Sequence, residues 1–175
     1  ETEEPFGVVL ERDDEGLAEV GCTARVERVL NRYDDGRLDI LAVGGRRFRV
    51  NDVRRERLYL TADVQPIVEP YEVVEAQMRE RAITQHMKLL ELAGETIRPS
   101  IYQDASRISF VLAHNAGLTL EQKQQLLEMH SENRRIEYLV SHLKDLIPRI
   151  SRYRDIEGTV RSDGHFGDEL PNLDI

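Results

Sequence analysis

Apolar residues alternate with polar ones along the first seventy positions, and beyond them recur every three to four, so the chain changes from strand to helix periodicity near Pro70. Phe6–Leu10 is a short apolar strand candidate, followed by the turn-like residues 12–16. Val20, Cys22, Ala24 and Val26 then alternate as one face of a half-buried strand. Asp34, Asp35 and Gly36 supply residues that tolerate positive φ, as a tight hairpin turn requires. Leu38, Ile40 and Ala42 resume the alternation, and Gly44-Gly45 is expected to turn the chain again before Phe48 and Val50. The apolar parity slips at Arg28 and Val29, which predicts a β-bulge near residues 27–29. Leu58, Leu60, Ala62 and Val64 alternate most regularly of all and predict a last strand, ended by Pro66 and Pro70.

Val74, Met78, Ala82, Ile83, Met87 and Leu90 mark one face of a helix expected over 71–93, with Gly94 as its terminator. At 1.5 Å per residue it would reach about 35 Å. Arg98-Pro99 is a break, and Asp104 is expected to cap a short helix whose Ile108, Val111 and Leu112 face inward and which ends at Gly117. Thr119 and Gln122 fit a capping box. Ser131 caps the last helix, whose Ile136, Leu139, Val140, Leu143, Leu146 and Ile147 form a stripe ending at Pro148. From about Asp155 no period is sustained. The expected organisation is a β-rich part over 1–70, a helical bundle over 71–154, and a flexible acidic tail over 155–175.

Composition narrows the classes. With 40% hydrophobic and 33% charged residues the chain reads as globular, and its apolar runs are far shorter than the roughly 18 residues of a bilayer span. An acidic start is unlike a signal peptide, and the single Cys22, a small core residue of a strand, fits a reducing cytoplasm. The chain begins at Glu1 rather than Met, which leaves open whether an N-terminal piece precedes it. A net charge of −9 opposes nucleic acid as main ligand. Ten Arg against six acidic residues between Arg25 and Arg57 nevertheless make a local positive face, and Arg46, Arg47, Arg49, Arg54 and Arg55 are the residues an RNA-binding alternative would use.

Chemistry is sparse. P-loop, dinucleotide-binding, zinc-protease and serine-hydrolase motifs are absent. His86, His114, His130, His142 and His165 show no ligand spacing and read as helix-surface or tail residues. Ser141 and Lys144 match an S-x-x-K pattern, but its companion elements are missing and both fall on the flank of a helix. No catalytic residue, metal ligand or cofactor is expected.

Several stretches carry a family resemblance: Phe6–Leu10, Leu17–Gly21 continuing into Thr23–Arg25, Asp35–Leu41, Gly44–Arg49, Tyr59–Asp63 and Leu118–Leu127. In this order and spacing they resemble the N-terminal, substrate-binding domain of the Lon protease family, over roughly Pro5 to Ile147. The resemblance implies an α+β fold, a β-rich PUA-like open barrel followed by a small helical bundle. It also implies a stand-alone, non-catalytic binder of unfolded or extended polypeptide, working with a protease or ATPase partner and without the ATPase and Ser–Lys peptidase modules of full-length Lon. Tyr33, Tyr59, Thr61 and Met78 are the candidate peptide contacts. The family pattern places one further strand before Glu1; without it a sheet edge is open to pairing, including with a second copy.

Overall fold

The computed structural model describes residues 4–13, 16–70, 72–103 and 107–162. Expectations for Asp104 as a cap, for His165 and for residues 163–175 lie outside them. The chain divides into two compact units at Glu69 and Pro70.

The first unit is an open four-stranded antiparallel sheet in the order β1-β4-β5-β6, with a small β2–β3 hairpin beside it. β1 is Phe6–Val8, β2 Glu11–Arg12, β3 Gly16–Leu17, β4 Val20–Arg32, β5 Leu38–Arg54 and β6 Thr61–Pro66. β4 and β5 form a long hairpin closed at the tip by Gly36, whose φ of 88° needs glycine. The predicted turn at Gly44-Gly45 is not one: both residues lie inside β5. Cys22 pairs with Arg47 and Ala24 with Gly44, so Gly45 and Arg46 together oppose Thr23 in a β-bulge. Thr23 Oγ1 accepts the Arg46 N–H at 2.9 Å, and a Cβ on Gly45 would stand 2.5 Å from that oxygen. Glycine is there to admit the threonine, and the strand runs on. A second shift falls between Val26 and Arg28, where the parity slip predicted one.

The buried part of this sheet is its proximal half. Ala18, Val20, Ala24 and Phe48 form its apolar centre, and Arg47 is buried in an ion pair with Glu69. The Phe48 ring crosses β4 against Gly7 and Gly21, where added Cβ atoms would stand 3.2 and 2.9 Å from its Cζ. The last strand is shorter than its alternation suggested. Leu58, Tyr59 and Leu60 precede β6 in a loop, and Leu58 is fully exposed, because β6 pairs with β5 only from Arg54–Thr61 onward.

The second unit is helical: α1 Ala76–Ala93, a single 3-10 turn Pro99–Tyr102, α2 Ile108–His114, α3 Leu120–Glu128 and α4 Glu132–Ser162. α1 begins after the expected Tyr71 and stops at Gly94, which takes φ 73° and donates to the Glu91 carbonyl. Thr119 and Gln122 form the predicted capping box. Ile108, Leu112, Leu126, Ile136, Leu139 and Leu143 are at most 2% exposed and build one core. α4 does not end at Pro148. Proline costs about 3 kcal/mol inside a helix, but Ile147 and Ile150 on either side both pack on that core, and exposed Pro148 leaves the freed carbonyl to solvent. The helix therefore continues through residues expected to be a tail.

Polar groups are built into this core at three places. Arg135 is 0% exposed, with Nη2 donating to Glu132 Oε2 at 2.8 Å, Nε to Ser109 Oγ at 2.9 Å and Nη1 to the Met129 carbonyl at 2.7 Å. Glu132 in turn accepts the Ser109 N–H at 2.9 Å and hydroxyl at 2.6 Å, so it serves α2 as a cap from another helix. At the edge of the core, Glu72 in the segment before α1 caps α4, accepting from the Asn133 N–H and Ser131 Oγ, and these bonds hold its carboxyl below the usual range.

His86 is the third. It is not a surface histidine but 1% exposed on α1, its Nδ1 2.8 Å from the Tyr102 hydroxyl, and Nε2 has no partner among the described residues. Desolvation pushes its pKa below the ordinary value near 6.5. The folded state therefore binds its proton less readily than the unfolded chain. Stability present above about pH 6.5 should be lost as pH falls through the depressed folded value. Thermal melts between pH 7 and 5 should show this slope, and His86→Gln should flatten it. An unchanged slope in the variant would remove His86 as its source.

Candidate functional site

The distal half of the β4–β5 hairpin is a two-stranded ribbon exposed on both faces. Its cross-strand partners share a face: Val26 with Ala42, Val29 with Ile40, and Arg32 with Leu38. One face is consequently almost wholly apolar, and Val26, Leu38 and Ile40 remain 45, 47 and 39% exposed. The other face pairs Arg28 with Leu41 and Asn31 with Asp39. β1 pairs with β4 only over residues 22–24, and β6 with β5 only from Phe48 onward. Among the described residues, both outer edges of the ribbon thus lack a neighbouring strand, which leaves main-chain donors and acceptors available. A surface of this kind can take an extended peptide as an added strand while its apolar face accepts alternate side chains.

The three predicted contact residues of the β unit are not brought together, and the fourth belongs to the other unit. Tyr33 stands at the ribbon tip, its hydroxyl donating to Asp39 Oδ2 at 2.7 Å and the Arg37 guanidinium 5.1 Å above its ring. Tyr59 lies in the loop at the other end of β5, a strand of 17 residues or roughly 50 Å when extended. Its hydroxyl accepts from Arg57 at 2.8 Å. Thr61 opens β6 opposite Arg54. Met78 belongs to the helical unit, half-buried on α1 above its core. The exposed apolar face itself was missed, because alternation predicts a buried face and cannot show that the distal half lies beyond the core.

The arginine face is largely committed to carboxylates. Arg47 is buried with Glu69, Arg49 reaches Glu19 at 2.6 Å, and Arg54 pairs with Asp63. No group of three or more His, Cys, Asp or Glu among the described residues could hold a metal ion. None of their helices is long and apolar enough to cross a membrane. Ser141 and Lys144 both sit on the exposed flank of α4, with no hydrogen bond between them among the described residues.

Residues 2–145 match the family of the ATP-dependent protease La (LON) substrate-binding domain. The chain belongs to that family. It is 28% identical over 162 residues to the Lon protease of Buchnera aphidicola, covering 86% of this chain and 20% of that protein. It is likewise 28% identical to Lon protease 2 of Herpetosiphon aurantiacus, covering 87% of this chain and again 20% of the relative. The chain therefore spans about a fifth of the length of these curated relatives. The fold is shared with the Lon N-terminal domain protein from Xanthomonas campestris at TM-score 0.60 and 24% identity, covering 79% of this chain and 75% of that one. The N-terminal domain of a Mycobacterium avium complex Lon protease matches at TM-score 0.54 and 19% identity, with coverages of 79 and 77%. The part of Lon matched is the substrate-binding domain, which is non-catalytic, and both solved neighbours have the same sheet-then-helices arrangement.

Proposed function

We propose that this Lon-family domain binds extended or unfolded polypeptide segments without catalysing a reaction on them, and that it presents them to a proteolytic partner. The observation that carries this reading is the apolar ribbon face of Val26, Leu38 and Ile40, left exposed beside two strand edges that have no neighbouring strand among the described residues. A peptide added along β5 would form main-chain hydrogen bonds and cover those side chains at the same time. Tyr33 at the tip lies within reach of such a segment. Tyr59 and Thr61 at the other end of β5, and Met78 in the helical unit, would meet a polypeptide separately. Retention of bound carboxylates by Arg47, Arg49 and Arg54 favours polypeptide over RNA as the ligand.

The test is retention of a chemically unfolded, non-native model protein on the immobilised chain. A triple substitution Val26→Ser, Leu38→Ser and Ile40→Ser should lower retention at least tenfold, which corresponds to roughly 1.4 kcal/mol and is less than the apolar burial available to three side chains. The unchanged circular dichroism of the variant checks that the fold persists, as all three side chains are on the surface. Equal retention by the variant, or none by the parent chain, would remove the reading.

A further inference from the structure

The helical unit contains a groove with a charge pattern that its own fold does not use. α1 and α4 lie side by side and run in the same direction. At one end Glu72 bonds Ser131 and Asn133; at the other, a Cβ on Gly94 would stand 3.7 Å from Arg154. Between them lies an open groove of about 450 Å³, with Met78 and Val140 half-buried at its floor. Because the helices run parallel, Glu75 and Glu137 fall together towards the start of the groove, and Arg81 and Lys144 fall together further along it. The two ends are six residues apart on α1 and seven on α4, or about 10 Å at 1.5 Å per residue. None of these four charged side chains has an ion-pair partner among the described residues, and all four are exposed. Charged side chains without an ion-pair partner, at either end of an apolar floor, contribute nothing to the helices' own cohesion. A ligand of complementary charge would pair with both ends at once.

We propose that this groove binds a peptide segment in polyproline II conformation, with one basic and one acidic residue three positions apart and apolar residues between them. The basic side chain meets Glu75 and Glu137, the acidic one Arg81 and Lys144, and the two apolar residues between them, turned to either side of that face, flank Met78 and Val140. The spacing follows from the ligand's geometry, since one turn of a polyproline II segment is three residues and about 9 Å, which puts its first and fourth side chains on one face. The peptide can lie in either direction, so the recognised feature is opposite charge at this spacing rather than chain polarity. The inference rests on the reading of the chain as a polypeptide binder, and adds a second contact surface with a sequence preference of its own.

Fluorescence anisotropy with labelled, end-capped peptides tests it on the full chain. A Lys-Leu-Leu-Glu core should bind roughly fivefold to tenfold more tightly than Lys-Leu-Leu-Lys or Glu-Leu-Leu-Glu at low salt. The difference should shrink as ionic strength rises. The double variant Arg81→Glu, Lys144→Glu should reverse the order and favour Lys-Leu-Leu-Lys, a gain that a merely unfolded variant cannot produce. Equal affinities for the three peptides, or an unchanged order in the double variant, would overturn the proposal. The Val26, Leu38 and Ile40 triple variant separates the two surfaces: it should lose unfolded protein but keep the peptide preference. Loss of the preference in that variant would also overturn a groove confined to α1 and α4.

Discussion

Arg135→Ala is expected to destabilise the helical unit by about 3–5 kcal/mol, the range for removing one partner of a buried ion pair. The substitution removes the guanidinium that faces Glu132, Ser109 and the Met129 carbonyl, and also its contact 4.6 Å above the Phe110 ring. Glu132, 7% exposed, would then keep its two bonds from Ser109 but lose its counter-charge in a nearly dry site. Urea denaturation of the two proteins measures the difference directly. A double substitution, Glu132→Leu with Arg135→Met, should recover part of the loss, because an apolar pair of similar volume carries no unpaired charge. A single-variant cost below about 1 kcal/mol would mean that water reaches the site and that the network is not a core element.

Phe48→Ala is expected to be of the same size in the β unit, about 3–5 kcal/mol. The ring fills the space over Gly7 and Gly21 and is 5% exposed, and little else in the sheet is buried with it. The close approach of those two backbones leaves no side chain that could swing into the void. Gly21→Ala probes the same site from the other direction. Its new Cβ would meet the Val8 carbonyl at 2.5 Å and Phe48 at 2.9 Å, so overpacking should cost about 1–3 kcal/mol. Hydrogen exchange resolved by peptide separates the two units and assigns each loss to residues 20–54 or to the helices. If Phe48→Ala raised exchange in neither strand, the ring would not be what holds β1 and β4 against β5.

Local periodicity made much of this architecture legible. The switch from alternation to a three-to-four repeat marks the division at Glu69 and Pro70, and Thr119, Ser131 and Gly94 announced helix ends that the structure contains. What escaped was non-local. The Gly44-Gly45 pair looks like a turn by itself, and only Thr23, twenty-two residues earlier in the chain than Gly45, makes it a bulge. Glu132 and Arg135 occupy stripe positions one turn before Ile136 and Leu139, so their spacing points inward, but charged residues do not extend an apolar stripe and the pair went unread. His86 likewise shares the inward face with Ala82 and Leu90, and a polar residue there is a sign of a buried hydrogen bond. At the candidate site the residue types were legible as apolar, but exposure depends on where the core ends, which no local pattern states.

The bulge at Thr23 and Gly45 also marks where the hairpin passes from its buried half to its exposed half. Beyond it the ribbon has cross-strand bonds but no buried side-chain centre; before it Phe48 and Val20 hold the ladder shut. Opening that begins at Gly36 can run along the ribbon and stop where the buried apolar centre begins. Amide protons of residues 25–44 should therefore exchange together and faster than those of residues 47–50. The same apolar surface that can receive a peptide strand is the least protected backbone of its sheet, so occupancy of that surface should appear first as slowed exchange along the ribbon.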